Sequence, residues 1–298
     1  LTDYWVFGIF IPSEEFHSFF VETKILDSPD FLKFKFSDES ESMPEFDLVQ
    51  LAEFLEEKYH QYHSHSFIEL DPVYVPHQYS KKEDIEISGF FAATLAWGQR
   101  PVIIRNSLKL MEQMDNSPFD FIINHNPGDL EFFKHFVHRT FNGDDCLFFI
   151  QALKNICIKY KSLGNLFEQL WTEYQNMGDV LAAFRSIFFS IPHPARTKKH
   201  VANPQANASA KRLNMFMRWM VRKGNVDFGL WESIPSSALF MPLDVHSARV
   251  ARKLGLLARK QNDWKAVKEL TENLKSFDPK DPVKYDYALF GLGVFEKF

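Results

Sequence analysis

From Phe46 onward, apolar residues recur three and four positions apart. Phe46, Leu48, Val49, Leu51, Ala52, Phe54 and Leu55 open the pattern. Such spacing puts side chains on one face of a 3.6-residue helical turn. The same periodicity predicts helices over 85–97, 102–114, 146–160, 166–174, 180–189, 213–221, 248–254, 264–274 and 283–289. Pro101 stands just before 102–114, where its fixed φ and missing N–H suit a helix start. Strand-like alternation is scarce. Val73, Tyr74 and Val75 are the best short candidate, flanked by Pro72 and Pro76. Connectors gather Pro, Gly, Asn and Asp, as at 126–129 and 278–282. The pattern predicts an all-α architecture of short helices joined by short loops.

Composition narrows the class. With 45% hydrophobic residues in 298, the chain has enough apolar surface to offset the entropy of ordering, which excludes a disordered protein. The length admits one large domain or two modest ones. Two cysteines, Cys146 and Cys157, exclude a disulfide framework and any four-cysteine zinc or iron–sulfur site; both read as buried thiols. No apolar run reaches the roughly 20 residues of a spanning helix.

Charge changes the picture once it is resolved along the chain. The total is 34 basic against 39 acidic residues, a net of −5 that argues at first against nucleic acid. Residues 1–42 alone carry nine acids, three lysines and eight phenylalanines. They lack the basic start and short apolar core of a secretory signal. Two readings stand for this leader: an extension packing its aromatics on the body, or an upstream artefact with Met43 as the true start. Residues 196–260 hold thirteen basic side chains and three acids, a net of +10. Such segregation favours an electrostatic footprint for a polyanion over a solvated basic face.

Within that block, Asp244 stands in Pro242-Leu243-Asp244-Val245-His246, followed by Arg249-Val250 and Leu254-Gly255-Leu256. Its plain role is to cap the helix that follows. Beside a polyanion site it could also stabilise a developing cation or deprotonate a nucleophile. This run resembles the catalytic-aspartate segment of the helix–hairpin–helix DNA glycosylases, the endonuclease III superfamily. Upstream, Ile87-Ser88-Gly89-Phe90 to Ala96-Trp97-Gly98-Gln99 is similar to that family's early helix and Gln-containing turn. Downstream, Val283 to Gly293 looks like its last helix. The chain also resembles the DUF2400 group of proteins of unknown function.

The departure lies at the hairpin. In place of a Leu-Pro-Gly-x-Gly turn stands the glycine-free segment 201–210, and Lys211 precedes Asp244 by 33 residues. That longer gap resembles the archaeal 8-oxoguanine glycosylases. The resemblance implies a two-lobed, all-α glycosylase-like fold. Residues 86–225 would form a helical barrel, and 43–85 with 226–298 a second lobe. It implies excision of a damaged base, an oxidised purine first, with Lys211 as Schiff-base nucleophile and Asp244 as catalytic carboxylate. Neighbouring Arg212 and Lys199 would favour a neutral lysine. Gln99 would fill the gap left by the base, and Lys199, Ser209, Arg212, Arg249, Arg252 and Lys253 would contact DNA. The implied partner is duplex DNA with a damaged base, bound by a monomer in the nucleoid-associated cytoplasm. No membrane, metal or cofactor is implied.

Alternatives remain open residue by residue. Lys211 could be a phosphate contact, with Lys199 or Arg212 taking its place as nucleophile. Gln99 could simply cap a helix. Trp97, Trp219 and Trp231 could stack on a flipped base, but aromatics at helical spacing are more often core. His60, His63 and His65, like His135 and His138, lack a completing carboxylate or cysteine for metal. A DNA-binding module without chemistry, or a helical interaction protein with a basic patch, are the rival functions.

Overall fold

The computed structural model describes residues 5–6, 9–10 and 47–298. The leader of residues 1–42, and both readings of it, lie outside the described residues, save two short strands. These are β1 (Trp5–Val6) and β2 (Ile9–Phe10), which pair antiparallel with Trp5 opposite Phe10.

Residues 47–298 are helical, as the periodicity predicts. In chain order the helices are α1 (Leu48–Tyr62), α2 (His65–Glu69), α3 (Lys82–Leu95), α4 (Arg100–Glu112), α5 (Pro118–Asn124) and α6 (Gly143–Tyr160). Then follow α7 (Leu163–Tyr174), α8 (Met177–Phe188), α9 (Lys211–Val221), α10 (Val245–Lys253), α11 (Trp264–Lys275) and α12 (Tyr285–Val294). Their starts are chemically marked. Asp47, Asn142, Ser162, Asn176, Asp244 and Asp263 each accept backbone N–H groups that the first helical turn leaves without partners. Each such cap is worth about 1 kcal/mol.

The strand expected at 73–75 is instead a 3₁₀ turn, Pro72–Tyr74. Asp71 accepts the Val73 N–H at 3.0 Å, and Pro72 fixes the first φ of the turn. With no strand paired to it among the described residues, local side-chain bonding decides the conformation.

The many phenylalanines have a structural reason. α3 is buried from Asp84 to Leu95 and packs on α4, α5 and α9. Its Phe90 ring lies 5.5–5.8 Å from those of Phe149, Phe184, Phe188 and Phe216, so four helices converge on one aromatic centre. Phe167 continues it, stacked on Phe184 at 4.5 Å and on Trp231 at 4.8 Å. Trp219 and Trp231 are therefore core. A second group forms around α12, which packs against α1 and α10. Helix α9 belongs to the first group and α10 to the second, and their starts meet. Asn214 Nδ2 donates to the carbonyls of Ser209 (3.2 Å) and Met241 (3.4 Å), tying the entry of α9 to the segment before α10.

Candidate active site

Lys211 is the first residue of α9 and Asp244 is the N-cap of α10. Local bonding aims the carboxylate. Asp244 Oδ1 accepts the N–H groups of His246 and Ser247, both at 2.8 Å. Its Oδ2 lies 3.2 Å from Lys211 Nζ. Capping and ion pairing thus engage different oxygens of one side chain. The lysine side chain is 31% exposed and the aspartate 10%, so the pair is sheltered but reachable. Burial pushes the Asp244 carboxyl up. The Lys211 charge and the Ser247 N–H outweigh that and hold it below its ordinary value.

The turn into α9 is made without glycine. Ala210 takes φ 50° and ψ 31°, and Asn207 takes φ 60° and ψ 22°. Both lie in the left-handed region, which glycine enters freely and which costs an alanine about 1–2 kcal/mol. Asparagine tolerates it better, and Asn207 is further held by a 2.9 Å bond to Asp263 at the start of α11. No side chain caps α9.

The pair opens on a cavity of about 470 Å³. Asp71, Arg100, Arg218 and Asp286 line it as well, so it gathers three carboxyl groups and three basic side chains. Arg218 is bonded to Asp286 on one side and to Asp227, at 3.3 Å, on the other. Tyr287 lies under its guanidinium at 4.2 Å. Burial raises Asp286 to about 7 despite the pull of Arg218, and raises Asp71 too. A second cavity of about 460 Å³ is lined by Thr140, Lys199 and His200 among mostly apolar residues. The two cavities share Ala96, Trp97, Ser209 and Lys211 as a common wall.

The other expected site residues fall into two sets. Gln99, Lys199 and Lys253 are exposed. Gln99 occupies the N-cap position of α4, yet its side chain makes no capping bond. Ser209 is half-buried and lines both cavities. Three arginines are held by carbonyls. Arg212 donates to Thr94 and Lys199, Arg249 to Gly293, and Arg252 to Arg259 and Lys260. Four more cations of the basic block meet carboxylates: Arg196 meets Asp145, Arg218 and Arg222 meet Asp227, and Arg259 meets Asp263. Much of the +10 charge is therefore compensated inside the fold. Among the described residues, no group of three or more His, Cys, Asp or Glu is placed to hold a metal ion. No helix there is long and apolar enough to cross a membrane.

Sequence reasoning missed Asp71, Arg218 and Asp286. A signal existed for two of them. Arg218 lies on the apolar face of 213–221, and Asp286 is the one acid within 283–289. A charge placed where a helix must be buried requires a partner.

The profile of DUF2400, described as a protein of unknown function, matches residues 71–295. No curated protein and no solved structure matches the chain.

Proposed function

For this chain, which belongs to the DUF2400 family, we propose the activity of a DNA glycosylase acting through Lys211 and Asp244. One observation carries the reading. Two residues 33 positions apart, each at the start of a helix, bring Nζ and Oδ2 within 3.2 Å of each other beside a cavity of about 470 Å³. This pair faces the open space of the cavity.

The chemistry follows from the contact. Lys211 gives up its proton to water, freeing the amine lone pair, while Asp244 stays ionised. The amine attacks the anomeric carbon of the sugar while the C–N bond to the base breaks. The bond electrons leave with the base, which takes up a proton. The cationic character built on the sugar lies beside a carboxylate held ionised. The amine adduct opens to a Schiff base, from which elimination of the 3′ phosphate cleaves the strand and hydrolysis returns the lysine. The base must leave the stack first, at a cost of a few kcal/mol. An oxidised purine is the leading substrate class by resemblance, within duplex DNA bound by a monomer in the cytoplasm. We read α3 to α9 as the barrel of a helix–hairpin–helix glycosylase, and α1 with α10 to α12 as its second lobe.

Release of free base from duplexes carrying single oxidised, alkylated or deaminated bases tests this. The wild type releases one class of base, and Asp244→Asn releases it far more slowly. A DNA-binding module without turnover is the second reading, favoured by the turn at 201–210, which lacks the glycines that let backbone approach DNA closely. Salt-sensitive binding with no base release from any duplex supports that reading and overturns the first.

A further inference from the structure

We infer that Trp97 and Arg139 form a binding platform for an unpaired nucleotide, the indole stacking on the base and the guanidinium meeting its phosphate. The inference rests on the nucleic-acid reading above but not on its chemistry.

Trp97 is 45% exposed, whereas Trp219 and Trp231 are 0% exposed. It stands in the corner between α3 and α4, on the wall shared by both cavities. An indole left in water at that point loses the burial that tryptophan normally gains. The Arg139 guanidinium lies 4.9 Å from the ring centroid. Unlike Arg196, Arg218, Arg222 and Arg259, it has no carboxylate within ion-pair distance among the described residues.

The arrangement is built, not incidental. Arg139 sits at the tip of a tight turn closed by the His138–Phe141 bridge, in the left-handed region with φ 53°. The turn is fastened to Trp97 itself, because His138 Nε2 lies 3.2 Å from the Trp97 carbonyl. His138 Nδ1 in turn lies 3.0 Å from Asn106 Nδ2. Gly98 follows with φ 129°, and a Cβ there would stand 3.2 Å from Arg139 Nη1. Glycine therefore leaves the room in which the guanidinium lies against the ring.

The chemistry of the surroundings selects the ligand. An aromatic face beside a cation matches a base joined to a phosphate. Lys199 and Lys211 line the cavity that Trp97 enters and add positive charge. A cationic ligand such as a methylated lysine would meet repulsion there. Every base has a π face, so the platform is tolerant of sequence. A base inside a duplex has its faces covered by neighbours, so the platform takes only unpaired or everted ones.

Titration of fluorescent oligo-dT and of a blunt, undamaged duplex tests the inference. Wild type, Trp97→Ala, Trp97→Phe, Arg139→Ala and Gly98→Ala are compared, with Tyr174→Ala as an equally exposed aromatic lining neither cavity. Loss of one base–aromatic stack weakens binding about ten-fold. We expect that loss for oligo-dT with Trp97→Ala. Trp97→Phe keeps most of the affinity, Gly98→Ala and Arg139→Ala weaken it less, and the duplex is bound equally by all. Equal oligo-dT affinity in wild type and Trp97→Ala overturns the platform and leaves the glycosylase reading untouched. Equal loss in Tyr174→Ala also overturns it. A wild type that binds neither nucleic acid overturns both.

Discussion

Helix α9 carries two kinds of acid–base contact, and the contrast between them separates structure from chemistry. At its first residue, Lys211 meets one carboxylate at a cavity mouth. Two turns on, Arg218 is 4% exposed and shares Asp227 and Asp286 with Tyr287 beneath it. At the end of the helix, Arg222 meets Asp227 at 3.1 Å, Asp281 at 2.8 Å and the Tyr59 hydroxyl at 2.6 Å. Sequence, charge and helix are shared. What differs is unused bonding capacity and room for a second molecule. Arg218 and Arg222 are each held by two carboxylates, and Arg218 ties α9 to α12 through Asp286 and Tyr287. Lys211 has one carboxylate partner and a cavity beside it, which is the basis for proposing it as the reacting group.

The largest effect falls on the buried side. Arg218→Met leaves Asp227 and Asp286 without their shared cation in the interior. Removing one partner of a buried pair costs about 3–5 kcal/mol. Lys211→Met removes a partly exposed pair and costs at most about 1 kcal/mol. Urea melts of the two variants check this, and equal losses would erase the distinction between the two ends of α9.

Next in size is the chemical side. Asn caps helices about as well as Asp, so Asp244→Asn keeps the bonds to His246 and Ser247 and removes only the charge. Base release should fall about 100-fold or more, with the melting curve nearly unmoved. A large loss of stability with little loss of rate would make Asp244 a cap and nothing else.

Asp286 lies on both sides of the comparison, bonded to Arg218 yet lining the cavity. Its carboxyl is raised from 3.8 to about 7, so the folded state holds this proton more tightly than the unfolded state. The stabilisation is full below about pH 4 and is lost as pH climbs through 7. Relative to Asp286→Asn, the wild type should therefore gain stability as pH is lowered from 7 to 4. A difference that is flat over that window would assign the carboxyl an ordinary titration.

The smallest effect concerns the surface cations. Lys199 is exposed on the second cavity, whereas Arg252 is held by two carbonyls. Lys199→Ala should weaken DNA binding a few-fold and lower the salt slope by about one. Arg252→Ala should act on stability and leave the slope alone. The reverse result would move the footprint from the cavity to α10.

The helices and the Asp244 cap were legible because both obey local rules, whereas Lys211 was singled out by the resemblance alone. Apolar spacing marks the helices, and a cap residue before a basic helix marks Asp244. The floor of the cavity was not legible. Asp286 and Arg218 are 68 residues apart, and only folding shows that each charge answers the other. The internal partners of the basic block were hidden for the same reason: seven of its arginines turn to carbonyls or carboxylates that a linear charge count cannot pair with them. At 73–75 the β-branched residues suggested a strand, but Asp71 and Pro72 set a 3₁₀ turn. Trp97 was indistinguishable from Trp219 and Trp231 until exposure separated them.

The central claim is that Lys211 attacks the sugar of a damaged nucleotide. Borohydride reduction during incubation with duplexes carrying oxidised purines or abasic sites traps such an intermediate as a covalent adduct, and peptide mapping locates it. The predicted result is an adduct on Lys211, absent from Lys211→Gln and reduced in Asp244→Asn. No adduct from the wild type on any of these duplexes, or an adduct that persists in Lys211→Gln, would contradict the account.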